Sequence, residues 1–261
     1  MIKAIIFDFG QTLVDSSDGF RRAEKEAQAA IFQDISNTDH DAFKQHYRRI
    51  RNEFHLKSNL SRVKIWEAVY QEFSCGAPLE KLIKWEHLYW QTVESETKIF
   101  PEAPKVLAKL SASYNHLAII TNTQGQTNTR AHRFKNYPEL AKLFSITVVA
   151  GENGVPPKPD TKAFKVCLKQ LGIAAEEAVY VGDDWRNDII GSKLSGLTPI
   201  WLKHHSVDRF YPEVKEDIHV ITTLNELPHL LKKLESTFMN KGLSPNLGSR
   251  NEEVQYADKI E

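Results

Sequence analysis

The run from Ile2 to Phe7 constrains the fold more than any other segment of the chain. Apart from Lys3 it is apolar, whereas a strand with one face in water alternates apolar and polar residues. The run therefore predicts a short strand buried on both faces, within a parallel sheet covered by helices. Asp8 follows at the carboxyl end of this strand, where open α/β sheets place their ligands. An Asp at this position is also typical of a turn or of the start of a helix.

The last 160 residues or so alternate predicted strands and helices. Strands are predicted at residues 117–121, 146–149, 178–181, 199–202 and 219–221. Helices are predicted at residues 101–113, 160–171, 187–195 and 224–238, with a polar loop and a further helix reaching about residue 143. Such alternation predicts an α/β fold built on a doubly wound, mostly parallel, Rossmann-like sheet.

More than one hundred residues separate the first predicted strand from the second. A crossover between parallel strands needs only about a dozen residues, so this interval holds an insertion. Its apolar residues recur at helical spacing, as Phe20, Ala23, Ala27 and Ile31 do, and polar breaks divide it into four segments. We predict a core domain at residues 1–15 and 100–238, a four-helix-bundle cap domain at residues 16–99 (the helical insert), and a flexible tail at residues 239–261.

The composition is that of an ordinary globular protein, with 41% apolar and 26% charged residues. The formal net charge is zero, so nothing favours a nucleic-acid or membrane partner. Cys75 and Cys167 are too few for a disulfide framework, and no apolar run approaches the roughly 18 residues of a membrane span. These features predict a cytoplasmic protein, and they do not indicate an oligomeric state.

Polar side chains follow several predicted strands or open the next helix. They are Asp8, Thr121, Asn122, Lys158, Asp183 and Asp188. The carboxyl ends of parallel strands meet at one edge of a sheet, so we expect these side chains to converge there. Each has a structural alternative, since Lys158 precedes a helix start, Thr121 and Asn122 end a strand, and Asp183 lies where a helix cap could stand. Their common order favours a single site.

Such a set of side chains suits phosphoryl transfer. Asp8 is a candidate nucleophile, because a carboxylate can attack phosphorus and form an aspartyl phosphate. Asp8, Asp183 and Asp188 offer the hard oxygen ligands that Mg²⁺ prefers. Thr121, Asn122 and Lys158 can hold the transferred phosphate oxygens, and Lys158 also offsets the negative charge of the carboxylates.

With these motifs the chain resembles the haloacid dehalogenase superfamily, whose members are mostly Mg²⁺-dependent phosphatases. The resemblance covers roughly residues 1–230 and rests on the segments 8–13, 120–122, 158–160 and 181–188. It implies that Asp8 is the nucleophile and that Thr121 and Lys158 bind phosphate. It also implies that Asp8, the backbone carbonyl of Gly10 and Asp183 hold Mg²⁺, with Asp188 as a further ligand or a supporting neighbour. The position of the helical insert is similar to that of the subgroup whose cap lies between the first two motifs.

Gly10 departs from the pattern of the family. Most of its phosphatases carry a second Asp there, a general acid that protonates the leaving oxygen. Loss of such an acid costs a factor of about 10² to 10⁴, roughly 3 to 5 kcal/mol of barrier, if nothing replaces it. A good leaving group, such as an acyl phosphate or a sugar 1-phosphate, would need it less, and His55 or a water could replace it.

A basic stripe runs along the second predicted helix of the insert, through Lys44, Arg48, Arg51 and His55. We interpret Arg48, Arg51 and His55 as candidate specificity residues for a second anionic group, although a solvated helix face would show the same pattern. A stripe this short is a poor footprint for nucleic acid. The tryptophans of the insert are interpreted as core rather than as a platform for bases, and they are Trp66, Trp85 and Trp90.

The leading hypothesis is a Mg²⁺-dependent phosphatase that acts on a small phosphorylated metabolite through an aspartyl phosphate. Cleavage of a phosphonate or a carbon–halogen bond is an alternative, because some relatives with those activities also lack the second Asp. The acidic residues favour a metal over metal-free dehalogenation, and no lysine of the insert is singled out for a Schiff base. A third hypothesis, motivated by Gly10, is a non-catalytic relative that binds a phosphorylated ligand or a protein.

Overall fold

The computed structural model describes residues 1–35, 38–123, 125, 132–207, 211, 213 and 217–241. Its strands are β1 (Ala4–Phe7), β2 (Val14–Asp15), β3 (Lys98–Ile99), β4 (His116–Asn122), β5 (Ile146–Ala150), β6 (Ala178–Gly182), β7 (Thr198–Leu202) and β8 (His219–Ile221). Its helices are α1 (Ser17–Asp34), α2 (His40–Leu56), α3 (Arg62–Glu72), α4 (Leu79–Glu96), α5 (Ala103–Ser111), α6 (Pro138–Ala141), α7 (Thr161–Leu171), α8 (Gly191–Leu194) and α9 (Leu227–Lys241). None of the described helices is long and apolar enough to cross a membrane.

Six strands form one parallel sheet in the order β5-β4-β1-β6-β7-β8. β1 lies in its interior, between β4 and β6, and all four of its residues are fully buried. Ile5 and Phe7 belong to the apolar layer that includes α5 and α9, whereas Ala4 and Ile6 belong to the layer that includes α7. The predicted doubly wound α/β fold is therefore confirmed, because the sheet is parallel and helices cover both of its faces.

The four helices α1 to α4 share an apolar cluster of their own, centred on aromatic side chains such as Trp66, Tyr47 and Phe43. α1 and α4 approach closely at Gly19, where a Cβ would stand 2.8 Å from the carbonyl oxygen of Val93. The two chain segments that join the insert to the sheet pair with each other as the antiparallel ribbon β2–β3. This ribbon is absent from the sequence-based prediction, because two-residue strands carry no periodicity.

Three predicted helices differ from the observed ones. The helix predicted to reach residue 143 is a 3₁₀ turn at Arg133–Asn136 followed by the single turn α6, while residues 124 and 126–131 of that segment lie outside the described residues. The helix predicted at 187–195 begins with a π-helical turn, Trp185–Ile190, before α8. α9 extends to Lys241, so the first residues of the predicted tail are helical, and residues 242–261 lie outside the described part.

Candidate active site

The side chains predicted to converge lie together at the carboxyl edge of the sheet. β1 delivers Asp8, β4 ends at Thr121 and Asn122, and β6 leads into Asp183 and the π-helical turn that carries Asp188. Lys158 reaches the same point from the loop before α7. Asn122 is half-buried, and the others of this set are buried, with relative exposures of 8% or less.

The ammonium group of Lys158 is the centre of this cluster. Its Nζ lies 2.8 Å from Oδ1 of Asp8 and 2.6 Å from Oδ1 of Asp188. It also lies 2.8 Å from the hydroxyl of Tyr180 and 3.0 Å from the carbonyl oxygen of Ile120. Burial opposes the charge on Lys158, yet the neighbouring Asp188 and Asp8 hold its pKa above the ordinary value. Lys158 therefore stays protonated and ties the nucleophile candidate to Asp188.

The carboxylates of Asp8, Asp183 and Asp188 could together hold a metal ion. One oxygen from each lies within 4.8 Å of the others. The pKa of Asp8 is raised to about 6, because burial and, to a lesser extent, Asp188 raise it by more than Lys158 lowers it. Three buried carboxylates converge at this point, and hard oxygen donors suit Mg²⁺, so the donor set fits this cation.

Gly182 lets Asp188 reach the cluster. A Cβ at position 182 would stand 2.5 Å from Cβ and from Oδ2 of Asp188, so no larger residue fits between β6 and that side chain. The π-helical turn aims the carboxylate inward, with Oδ2 of Asp188 accepting from the backbone N–H of Asp184 at 3.0 Å. Asp184 in turn caps the turn through the N–H of Asn187 at 2.8 Å.

Asn122 positions the backbone of Lys158. Its Oδ1 accepts from the backbone N–H of Lys158 at 2.7 Å, and its Nδ2 donates to the Lys158 carbonyl oxygen at 3.3 Å. The sequence suggested the Asn122 side chain for phosphate binding, but its amide is hydrogen-bonded to the backbone of Lys158. The backbone of Asn122 and the buried Thr121 remain at the end of β4, beside Asp8.

A cavity of about 1040 Å³ lies between the cluster and the helical insert. The loop between α2 and α3 contacts the core here. Ser58 Oγ donates to the carbonyl oxygen of Lys158 at 3.1 Å, and Nη1 of Arg186 donates to that of Leu56 at 2.7 Å. The insert is therefore closed over the predicted site.

Two of the three predicted specificity residues line the cavity. Arg51 and His55 face it, whereas Arg48 is exposed and is not among the lining residues. Burial, together with the neighbouring charges of Arg62 and Arg51, lowers the pKa of His55 to about 4. His55 is therefore neutral at neutral pH.

A polar network of the insert forms the wall opposite Asp8. Glu24 receives the Arg51 guanidinium at 3.3 Å and the Tyr89 hydroxyl at 3.1 Å, and Nε of Arg62 lies 4.0 Å away. The guanidinium of Arg62 also lies 4.8 Å from the centre of the Tyr89 ring. Two arginines share one carboxylate, so this wall keeps a positive charge. The Nε–H groups of both arginines and the indole N–H of Trp90 are buried and lack hydrogen-bond partners among the described residues.

Sequence reasoning missed Glu24, Arg62 and Arg133, which all line the cavity. Glu24 carried a signal, because it lies four residues after Phe20 and next to Ala23, on the apolar stripe of α1. Arg62 directly follows the cap residue Ser61, a place where a charge is usually solvated. Arg133 belongs to a 3₁₀ turn, where no helical or strand period marks the inward side.

Comparisons with known proteins identify the family and the fold of the chain. A family model described as haloacid dehalogenase-like hydrolase matches residues 2–196. The chain is 29% identical to the glyceraldehyde 3-phosphate phosphatase of Pyrococcus furiosus, over 90% of this chain and 93% of that enzyme. It is 33% identical to the phosphoserine phosphatase of Thermus thermophilus over 126 residues, about half the length of each chain. A 2-haloacid dehalogenase from Pseudomonas syringae shares the fold, with a TM-score of 0.60 and 21% identity over 90% of this chain and 100% of that one.

Proposed function

The chain belongs to the haloacid dehalogenase-like hydrolases, and from this membership we propose that it is a phosphatase for a small phosphorylated substrate. The membership confirms the predicted family and the predicted hydrolase class. The observation that carries the proposal is the position of Asp8, a buried carboxylate held 2.8 Å from Lys158 at the floor of a cavity large enough for a metabolite. Phosphatase relatives that span most of the chain support the choice of phosphate esters.

Asp8 is the nucleophile of the proposed reaction. One of its oxygens attacks phosphorus, the bond to the leaving oxygen breaks, and the phosphoryl group resides on Asp8 until water releases it. Lys158 keeps the carboxylate ionised and adds positive charge where the phosphoryl oxygens gather. Thr121 and the backbone of Asn122, at the end of β4, complete the phosphate site in this proposal.

Mg²⁺ is the cofactor of the proposed enzyme. Asp8, Asp183, Asp188 and the carbonyl of Gly10 would hold it, in line with the convergence of the three carboxylate oxygens within 4.8 Å of one another. When bound, the cation supplies charge that allows a carboxylate to approach an anionic phosphate. Asp8 reaches both the metal site and Lys158, so it can be oriented by both.

The helical insert acts as the cap of this active site, and the core and cap divide near residues 15 and 100. Its cavity wall selects a substrate with a second acidic group, because Arg51 and Arg62 outnumber Glu24 and because donors there lack partners. Neutral His55 can add a hydrogen bond but no charge. Arg48 is left out of this subsite, since it faces solvent.

A panel of phosphate esters assayed with Mg²⁺ tests the proposed function, with Asp8→Asn as the decisive variant. We expect wild type to release phosphate and to form a labelled phosphoenzyme, and Asp8→Asn to do neither, because an amide is not a nucleophile. The matched control is Asp160→Asn, since Asp160 is an exposed N-cap of α7 and Asn caps equally well. Phosphate release that persists in Asp8→Asn would reject the role of Asp8. Release of halide, or cleavage of a phosphonate, without turnover of any ester would favour the alternative chemistries.

A further inference from the structure

Position 10 leaves an open question about the leaving group, because Gly10 brings no acid to protonate it. The structure fills the space next to this glycine with a different group. A Cβ built on Gly10 would stand 3.1 Å from Nη2 of Arg133, and both residues line the cavity together with Asp8. The guanidinium therefore lies where a side chain at position 10 would project.

Among the described residues, Arg133 is held in place by hydroxyl groups and an aromatic ring rather than by an ion pair. Its Nη1 donates to Ser16 Oγ at 2.5 Å and to Thr97 Oγ1 at 3.2 Å, and its guanidinium lies 5.2 Å from the centre of the Phe9 ring. No carboxylate of the described residues forms an ion pair with it. Its Nε–H is buried without a hydrogen-bond partner among those residues, and the whole residue is 4% exposed.

A buried charge in this state is costly unless an anion comes to it. Burial lowers the pKa of Arg133, but a guanidinium still remains protonated at neutral pH, so it can donate hydrogen bonds but cannot serve as a general acid. Asp8 and Glu94 favour the charged guanidinium from beyond ion-pair distance, and an oxygen anion that enters the cavity with the substrate would lie closer to it.

We propose that Arg133 stabilises the leaving oxygen of the substrate as an anion, in place of an acid at position 10. This inference rests on the proposed phosphatase function. As Asp8 forms its bond to phosphorus, the bond to the leaving oxygen breaks and the electron pair stays on that oxygen, where Nη2 donates to it. The water that later hydrolyses the aspartyl phosphate supplies the proton that completes the leaving group, so the protons balance.

Stabilisation of the leaving oxygen by Arg133 favours substrates according to the basicity of their leaving group. Arg133 can share the charge of an oxygen anion but cannot remove it, so leaving groups that are weak bases are favoured. Acyl phosphates, enol phosphates and phenolic esters belong to this class, whereas simple alkyl esters leave a strongly basic alkoxide. The enzyme should therefore turn over alkyl phosphates slowly unless the second acidic group contributes binding energy.

The test is the dependence of kcat/KM on the acidity of the leaving group, measured with a series of aryl and alkyl phosphates. In Arg133→Met we expect a roughly 10²- to 10³-fold loss for phenyl and alkyl phosphate, as for the removal of one oxyanion donor. For 2,4-dinitrophenyl phosphate, whose leaving group is stable as an anion, we expect a loss below about 10-fold. The plot of log kcat/KM against the pKa of the leaving group therefore becomes steeper. Arg133→Lys keeps the positive charge and should restore part of the shallow slope.

A purely structural role for Arg133, as a link to Ser16 and Thr97, would lower kcat/KM equally across the series, and that result would overturn the proposal. Gly10→Asp gives a second test that leaves Arg133 in place. Its carboxylate would pair with Nη2, so we expect a loss on basic leaving groups, whereas a gain on alkyl phosphates would contradict our assignment. If wild type turns over no member of the series, the phosphatase function itself fails, and this role of Arg133 fails with it.

Discussion

His132 shows how one buried side chain makes the region around the site sensitive to acid. It is 6% exposed, its Nδ1 accepts from the backbone N–H of Phe134 at 3.2 Å, and its ring centre lies 5.8 Å from that of Phe9. Burial, together with the neighbouring charge of Arg133, lowers the pKa of His132 to about 3. The folded protein thus keeps this imidazole neutral at pH values where a free histidine takes up a proton.

This difference predicts a loss of stability in mild acid. The unfolded chain binds a proton at His132 below about pH 6.5, and the folded chain does not until about pH 3, so stability is full above pH 6.5 and falls between those values. The slope from this residue is at most about 1.4 kcal/mol per pH unit. We expect the free energy of unfolding in urea to depend less on pH in His132→Asn than in wild type. The Oδ1 of this Asn can still accept from the backbone N–H of Phe134.

The exposed His229 of α9 provides the control, as His229→Asn makes the same substitution on the surface. Parallel pH profiles for wild type and His132→Asn would show that the acid sensitivity arises elsewhere.

At the scale of elements, the predictable parts are those with a period or a continuous apolar run. β1, β4 and β6 could be placed because their residues are apolar and short runs of this kind suit a buried parallel strand. Because the strands are parallel, the meeting of Asp8, Lys158 and Asp188 followed from topology alone.

The rest of the site depends on contacts between elements, which a single sequence does not display. Arg133 faces inward because Ser16 and Thr97, on the two segments that lead into the insert, accept from it. Arg62 turns toward Glu24, 38 residues earlier, because α1 and α3 pack in the same bundle. Neither pairing follows a fixed spacing in the sequence. The polar network around Glu24 was therefore only partly predicted, through Arg51 and His55 on one helix.

The polar network of the insert, with Glu24 on α1 and Arg62 on α3, predicts which substrates the enzyme prefers. Phosphoglycolate and ethyl phosphate are similar in size, but only the former carries a carboxylate. We expect Arg62→Met to raise KM for phosphoglycolate by roughly 10- to 150-fold, the range for one hydrogen bond to a charged group, and to leave ethyl phosphate nearly unchanged. Arg48→Met is the matched control, because Arg48 lies on α2 outside the cavity. Equal effects on both esters would argue against recognition of an acidic group by Arg62.

At the scale of the whole molecule, the proposed metal site would couple cation binding to folding. The proposed ligands follow β1 and β6, so a bound cation would link the interior of the sheet to the π-helical turn. A ligand present at 100 times its dissociation constant stabilises the folded state by about 2.7 kcal/mol. For a chain of this length that corresponds to a rise in Tm of roughly 5 to 10 °C.

We therefore expect Mg²⁺ to raise the Tm of wild type in a thermal-shift measurement and excess EDTA to reverse the rise. Asp183→Asn removes one ligand and should abolish most of the shift, while Asp160→Asn, at an exposed helix cap, should retain it. A Tm that is insensitive to Mg²⁺ in wild type would contradict the assignment of these carboxylates to a metal site.

The interior position of β1 has a consequence for the synthesis of the protein. This strand leaves the ribosome before its neighbours β4 and β6, which begin at residues 116 and 178. At about 5 to 20 residues per second, more than 100 residues of further translation keep both edges of an apolar strand unpaired for several seconds or longer. The helical insert emerges during this interval and can fold around its own apolar cluster while β1 is still unpaired. A nascent chain with this order of elements depends on shielding of its first strand, and truncation before β6 should yield aggregates rather than a folded core.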